Sequence, residues 1–146
     1  AAVTGSPENM HLTVYYATAD AMNVAPEICI VPKTAQPAKA ALELLLQNPR
    51  NQKLLKVLPE GTKIKGLVIK DHIAYADFND KIIKNMGGGS ATEMLVVGSI
   101  VNTLTEFPEV LKVQILVEGK KVDTLSGHMD ISEPLSRSEQ IIKKSL

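Results

Sequence analysis

Ser126, His128 and Asp130 stand at alternate positions near one end of the 146-residue chain. A hydroxyl, an imidazole and a carboxylate are the groups of a serine hydrolase, and in an extended segment all three point the same way. The spacing is too short to seat a base between nucleophile and orienting acid, and such triads are assembled from separated parts of a fold. As metal ligands, His128 and Asp130 need a third donor, and neither His11 nor His72 stands at a recognisable ligand spacing. Gly87-Gly88-Gly89-Ser90 at a helix start could offer amides to a phosphate, but the lysine of a P-loop is missing. Asp77 and Asp80 could form half of an oxygen-rich cation site, yet Lys81 and Lys84 follow at once and no Asp-x-Asp-x-Gly loop is present. These acids, with Asp71-His72, read as turn formers. Cys29, the single cysteine, lies between Ile28 and Ile30 and reads as a small hydrophobe; no internal disulfide is possible. No catalytic, cofactor or metal role is assigned. Paired acids for glycoside hydrolysis need not be near in sequence, and nothing singles out a pair.

The elements that must position these groups are organised around residues 87–117. Ser90 with Glu93 three positions later has the form of a capping box, predicting a helix start there. At 100° per residue Met94, Val97, Ile100, Val101, Leu104 and Phe107 share one side, with Gly98, Ser99, Asn102, Thr103 and Glu106 on the other. That pattern predicts a half-buried helix lying on a sheet. Leu95 is an apolar residue on the polar side. Either a helix over 38–46 covers it, with Gly98 allowing close approach, or Leu95, Gly98, Ser99 and Asn102 form an exposed interface. Pro108 ends the helix, and residues 112–117 alternate as a strand closed by Glu118-Gly119.

In chain order, strands are expected at 12–16 and 27–31, then a helix opened by Thr34 to Pro37 in which Ala38, Ala41, Leu42 and Leu45 share a face. Residues 52–57 are expected to add a helical turn. A hairpin follows over 62–70 and 73–78, with a bulge at Gly66, then a short helical turn at 79–86. The last elements are a strand over 121–125, an irregular GHMDISEPL segment, and a short helix with a second capping box at Ser136 and Glu139. The fold class is α+β: one two-layer domain over 10–146, with two main helices on one face of a mixed sheet, in core order α-β-β-α-β after extra N-terminal strands. Residues 1–9 read as a polar tether or a cloning remnant.

The glycine-rich lead, the run SIVNTLTEFPEV, the strand ending V-x-G and the later GHMDISEPL resemble the sporulation and spore germination (GerMN) domain of bacterial envelope proteins, from about Leu12 to Leu135. The resemblance makes Ser90, Glu93, Asn102, Pro108, Gly127, His128 and Asp130 structural motif residues, with the acid of the GHxD run accepting backbone amides in a tight turn. It implies a non-enzymatic module that contacts envelope proteins or copies of itself, outside the cytoplasmic membrane and tethered through an anchor absent from this chain. The element order is also like that of ring-building modules. The alternative is a cell-wall hydrolase or peptidoglycan-binding domain. Composition argues separately against nucleic acid: 16 basic residues balance 16 acidic ones, only Arg50 and Arg137 are arginines, and aromatic residues are 3% with no Trp. A KH-like RNA reader would need a GxxG loop and a basic face.

Overall fold

The computed structural model describes residues 8–144. It has two sheets and three helices. β1 (Asn9–Thr18), β2 (Val24–Pro32) and β3 (Leu54–Leu55) form one sheet in the order β2-β1-β3. β4 (Ile64–Lys70), β5 (Ile73–Phe78), β6 (Lys112–Val117) and β7 (Lys120–Lys121) form the other in chain order, and β8 (Leu135–Ser136) also pairs with β6. The helices are α1 (Pro37–Leu44), α2 (Lys81–Lys84) and α3 (Ser90–Leu104). The single mixed sheet expected from the sequence is replaced by two: β1 and β2 pair with each other along nine positions, β3 pairs only with β1, and none of the three is hydrogen-bonded to the other sheet. Asn9 already belongs to β1, so the expected tether is shorter at its inner end; residues 1–7 lie outside the described residues.

Two-residue turns explain the second sheet. Asp71 and His72 both have positive φ (53° and 64°), as do Glu118 and Gly119 (50° and 78°). Two successive positive φ values give a turn whose twist matches that of paired strands. These turns make the β4–β5 and β6–β7 hairpins, while β5 and β6 run parallel with α3 crossing between them. The bulge near Gly66 is present as a register shift between Ile64 and Gly66.

Several local expectations are overturned. Residues 52–57 give no helical turn: Leu54 and Leu55 pair with Thr18 and Ala17 and hold the end of β1. The strand expected over 121–125 stops at Lys121. Ser136 sits in β8 opposite Lys112, and the expected helix is a 3-10 turn, Glu139–Ile141, preceded by Ser138 with no side-chain cap. Glu139 instead pairs with Arg137 and Lys144.

The largest correction concerns α3. It is buried all round from Leu95 to Leu104, including the side expected to face water. Residues on that side are small or can be satisfied inside: Thr103 Oγ1 accepts the Tyr15 amide at 2.9 Å, and Asn102 bonds Ser138 in both directions. Buried polar groups are tolerated when partnered in this way, and on this side only the Ser99 hydroxyl is buried without a partner among the described residues. The Tyr15 bond points away from β2, so α3 occupies the edge of β1 where a further strand would lie. Leu95 packs with Tyr15, Ala17, Val24, Ile141 and Ile142, so the reading of Leu95, Gly98, Ser99 and Asn102 as an exposed interface is withdrawn. The neighbour is not α1 as expected; a Cβ on Gly98 would meet the Ile141 side chain.

Candidate functional site

The capping box does not form. Gly89 precedes the first turn of α3 without a side-chain cap, and Ser90 is exposed. Glu93 has turned the other way, its side chain fully buried among the residues of the GHMD loop. Its Oε2 accepts the amides of Leu125 and Ser126 at 2.9 and 3.0 Å. Its Oε1 accepts the Ser126 hydroxyl at 3.1 Å and the His128 amide at 2.9 Å, and lies 3.2 Å from His128 Nδ1. An ionised carboxylate only accepts, so a hydrogen bond at this contact requires the imidazole to donate from Nδ1. Gly127, with φ of 96°, lets the loop fold around the acid, and its amide donates to Thr124 Oγ1 at 2.9 Å.

Burial alone would raise the Glu93 pKa. The amides of Ser126, Leu125 and His128 and the Ser126 hydroxyl outweigh it and hold the group below the usual carboxylate value. A carboxylate with so many donors is a poor base. The arrangement also fails as a triad on geometry. Glu93 takes the place of an orienting acid on Nδ1, but a nucleophile must then sit on the far ring nitrogen, and Ser126 is bonded to the same carboxylate oxygen as Nδ1. Asp130 is not part of the group. Its Oδ1 accepts the Ser132 amide and hydroxyl at 2.9 and 2.6 Å, a local turn.

The remaining sequence candidates are also engaged in turns. Asp77 accepts the Gly119 amide at 2.8 Å, and Asp80 pairs with Lys84 at 2.8 Å. His72 Nδ1 lies 3.3 Å from the Glu109 carbonyl. Pro108 is exposed within the turn closed by the Val110 amide on Phe107. Among the described residues no group of three His, Cys, Asp or Glu side chains is placed to hold a metal ion. Cys29 is half-buried beside Glu27, and burial together with that carboxylate keeps its thiol protonated.

A second cluster escaped the sequence reading. Arg137 donates to Tyr15 Oη and Glu106 Oε2 at 2.6 and 2.8 Å, to Glu139 Oε2 at 2.6 Å, and to the Asn102 carbonyl at 3.0 Å. Its guanidinium also lies 5.2 Å from the Tyr15 ring centre. A cation on the last carbonyls of α3 meets the negative end of the helix dipole. The only sequence signal was that arginine is scarce in this chain. With Glu93 near one end of α3 and Asn102 and Arg137 near the other, residues 125–141 form a strap along the helix. Between strap and helix is a cavity of about 300 Å³ lined by Met94, Val97, Val101, Met129 and Leu135 among others.

Comparison with known proteins bears on this geometry. The sequence profile of the family described as sporulation and spore germination (Germane) matches residues 13–123. Spore germination protein GerM of Bacillus subtilis is 33% identical over 117 residues, 76% of this chain and 31% of GerM. The chain thus spans about a third of that relative's length. Tandem GerMN domains of the sporulation protein GerM from Bacillus subtilis superpose with a TM-score of 0.76 at 26% identity, covering 88% of this chain and 46% of theirs. The first GerMN domain alone gives 0.72 at 26% identity, covering 88% and 98%. A candidate lipoprotein from Clostridium perfringens gives 0.62 at 30% identity, covering 88% and 87%. The profile match stops before Gly127, His128 and Asp130, so the GHMD loop lies outside the matched residues. On the profile match and the shared fold, this chain belongs to the sporulation and spore germination family, as a GerMN-type domain.

Proposed function

We propose that the domain is a non-catalytic assembly module of a bacterial envelope protein, working through contact with other envelope proteins or with another domain of its own kind. One observation carries the reading. Ser126 and His128 are each bonded to Glu93 of α3 and not to each other, which ties the strap to the helix and leaves His128 off the Ser126 hydroxyl. Two of the three side chains that suggested hydrolysis, Ser126 and His128, serve in this reading to hold the strap on α3. Support for envelope placement comes from the relatives: a germination protein, and a structural neighbour described as a lipoprotein. No helix among the described residues is long and apolar enough to cross a membrane. The GerM structure with tandem GerMN domains supports a domain that works beside another of its kind. Balanced charge and few aromatic residues support a protein partner over a nucleic acid.

The experiment is incubation of the purified protein with cell-wall sacculi, with soluble fragments measured by chromatography. The expected result is no release above buffer. Release that His128→Ala abolishes in a variant that still melts cooperatively would replace this reading with the hydrolase.

A further inference from the structure

The two sheets end in open edges of opposite character. The Tyr15 amide turns away from β2 to Thr103, so Tyr15 and Pro26 are a non-hydrogen-bonded pair and the backbone of Pro26, Ile28, Ile30 and Pro32 faces outward. Two of those four positions are proline, which removes donors and discourages strand addition. β4 has no such guard. Its turn makes Lys70 and Ile73 the first hydrogen-bonded pair, so Val68 bonds inward to β5 while the amides and carbonyls of Leu67 and Ile69 face outward. None of those outward groups has a partner among the described residues.

Beside that edge is a groove of about 500 Å³ between Gly66 to Ile69 of β4, residues 35–39 leading into α1, and Glu109. A strand laid along β4 would sit roughly 4.8 Å away, with alternate side chains against Pro37 and Ala38. Val68 is 61% exposed on the outer face and would flank the added strand there. Lys65 is matched by Glu118 at 2.6 Å, whereas Lys39 in the groove and Lys70 at the strand's end make no ion pair among the described residues. Glu109 in the groove and Asp71 in the turn also make no ion pair among the described residues, but β4 itself carries Lys65 and Lys70 near its two ends, and an antiparallel second copy would set these lysines against its own.

We infer that the β4 edge is a docking site for an extended segment of a partner protein, apolar at alternate positions and acidic at its flanks, which adds to the sheet as a further strand. Main-chain hydrogen bonds to Leu67 and Ile69 supply the attachment, and the groove and lysines select the side chains. This rests on the assembly reading and gives it a surface.

The test uses the full-length protein and a fluorescent peptide, Glu-Val-Thr-Val-Thr-Val-Glu, read by anisotropy. Saturable binding is expected, weakened about tenfold or more by Ile69→Pro, which deletes an outward amide, and unaffected by Ile28→Pro on the guarded edge. A version flanked by lysines binds more weakly, and N-methylation of the peptide amides that face β4 abolishes binding to the wild type, which covers the case in which Ile69→Pro fails to fold. No saturation up to about 1 mM, or equal binding by a folded Ile69→Pro variant, overturns the inference. Self-association in sedimentation that Ile69→Pro removes would make the occupant a second copy and overturn the partner assigned here. Envelope crosslinks through a photoreactive residue at position 68 separate the two levels. Crosslinks that survive Ile69→Pro overturn this edge and leave assembly standing, while an absence of protein crosslinks from any surface position overturns both.

Discussion

Replacing Glu93 tests whether the acid holds the strap or merely starts the helix. In Glu93→Ala the amide of Leu125, a residue 3% exposed, loses its acceptor inside the protein, while Ser126 and His128 can turn to water. An unsatisfied buried donor costs about 1–3 kcal/mol and a hydrogen bond to a charged group contributes about 1.5–3 kcal/mol, with contributions from one site far from additive. A loss of about 3 kcal/mol follows. At roughly 2–4 °C per kcal/mol for a chain near this length, the melting temperature falls by about 6–12 °C. Glu93→Gln separates this account from simple space filling. The amide nitrogen would stand where an oxygen now accepts at least two donors, so the isosteric change costs nearly as much as alanine. The pH dependence has a definite sign. The folded pKa is depressed, so the contribution is whole above the unfolded value near 4.3 and is lost as pH falls through the folded value. The gap between wild type and Glu93→Gln therefore narrows in acid. The assay is urea unfolding across pH, with amide exchange followed at Leu125, Ser126 and His128. A loss below about 0.5 kcal/mol, the ordinary surface value, with exchange unchanged, would refute the reasoning.

Ser90→Ala should change stability by less than about 0.5 kcal/mol, because the hydroxyl caps nothing; a loss near 1 kcal/mol in thermal melts would restore the capping box. Arg137→Ala should cost about 2 kcal/mol, and Arg137→Lys should recover little of it, since one ammonium cannot reach Glu106, Glu139 and the Asn102 carbonyl together; full recovery in urea melts would reduce the cluster to charge alone. Leu104→Ala should cost roughly 2–5 kcal/mol, and Leu95→Glu should abolish cooperative melting, because both side chains lie inside the fold. A folded, stable Leu95→Glu variant would return that leucine to the surface.

What the sequence made legible depended on whether a residue's partners were local. The hairpin at 71–72, the Gly66 bulge, the shared face of Ala38, Ala41, Leu42 and Leu45, and the α3-to-β6 passage were readable from periodicity and turn chemistry. The Asp130 turn is likewise local, closed on Ser132. Glu93 was misread because its donors lie 32 to 35 residues away, and a capping box nearby satisfied the same local pattern. The polar side of α3 was misread for a related reason: Asn102 and Thr103 look solvated until Ser138 and Tyr15 are brought to them. Leu95 was the one residue that marked the error, since an apolar side chain on that face needed a cover. Arg137 gave no pattern, as its partners come from three places in the chain: Tyr15, the region around the end of α3 with Asn102 and Glu106, and Glu139.

The central claim, a module that acts by protein contact and not by turnover, is tested most directly in the native envelope. Photoreactive residues would be placed one at a time on full-length protein, at position 68 beside the β4 edge and at exposed positions on the opposite sheet such as 28 and 30. Crosslinked species would be identified by mass spectrometry. The account predicts discrete protein adducts concentrated at position 68 and unchanged by His128→Ala. Adducts only to cell-wall glycan, lost with His128→Ala in a folded variant, would contradict it.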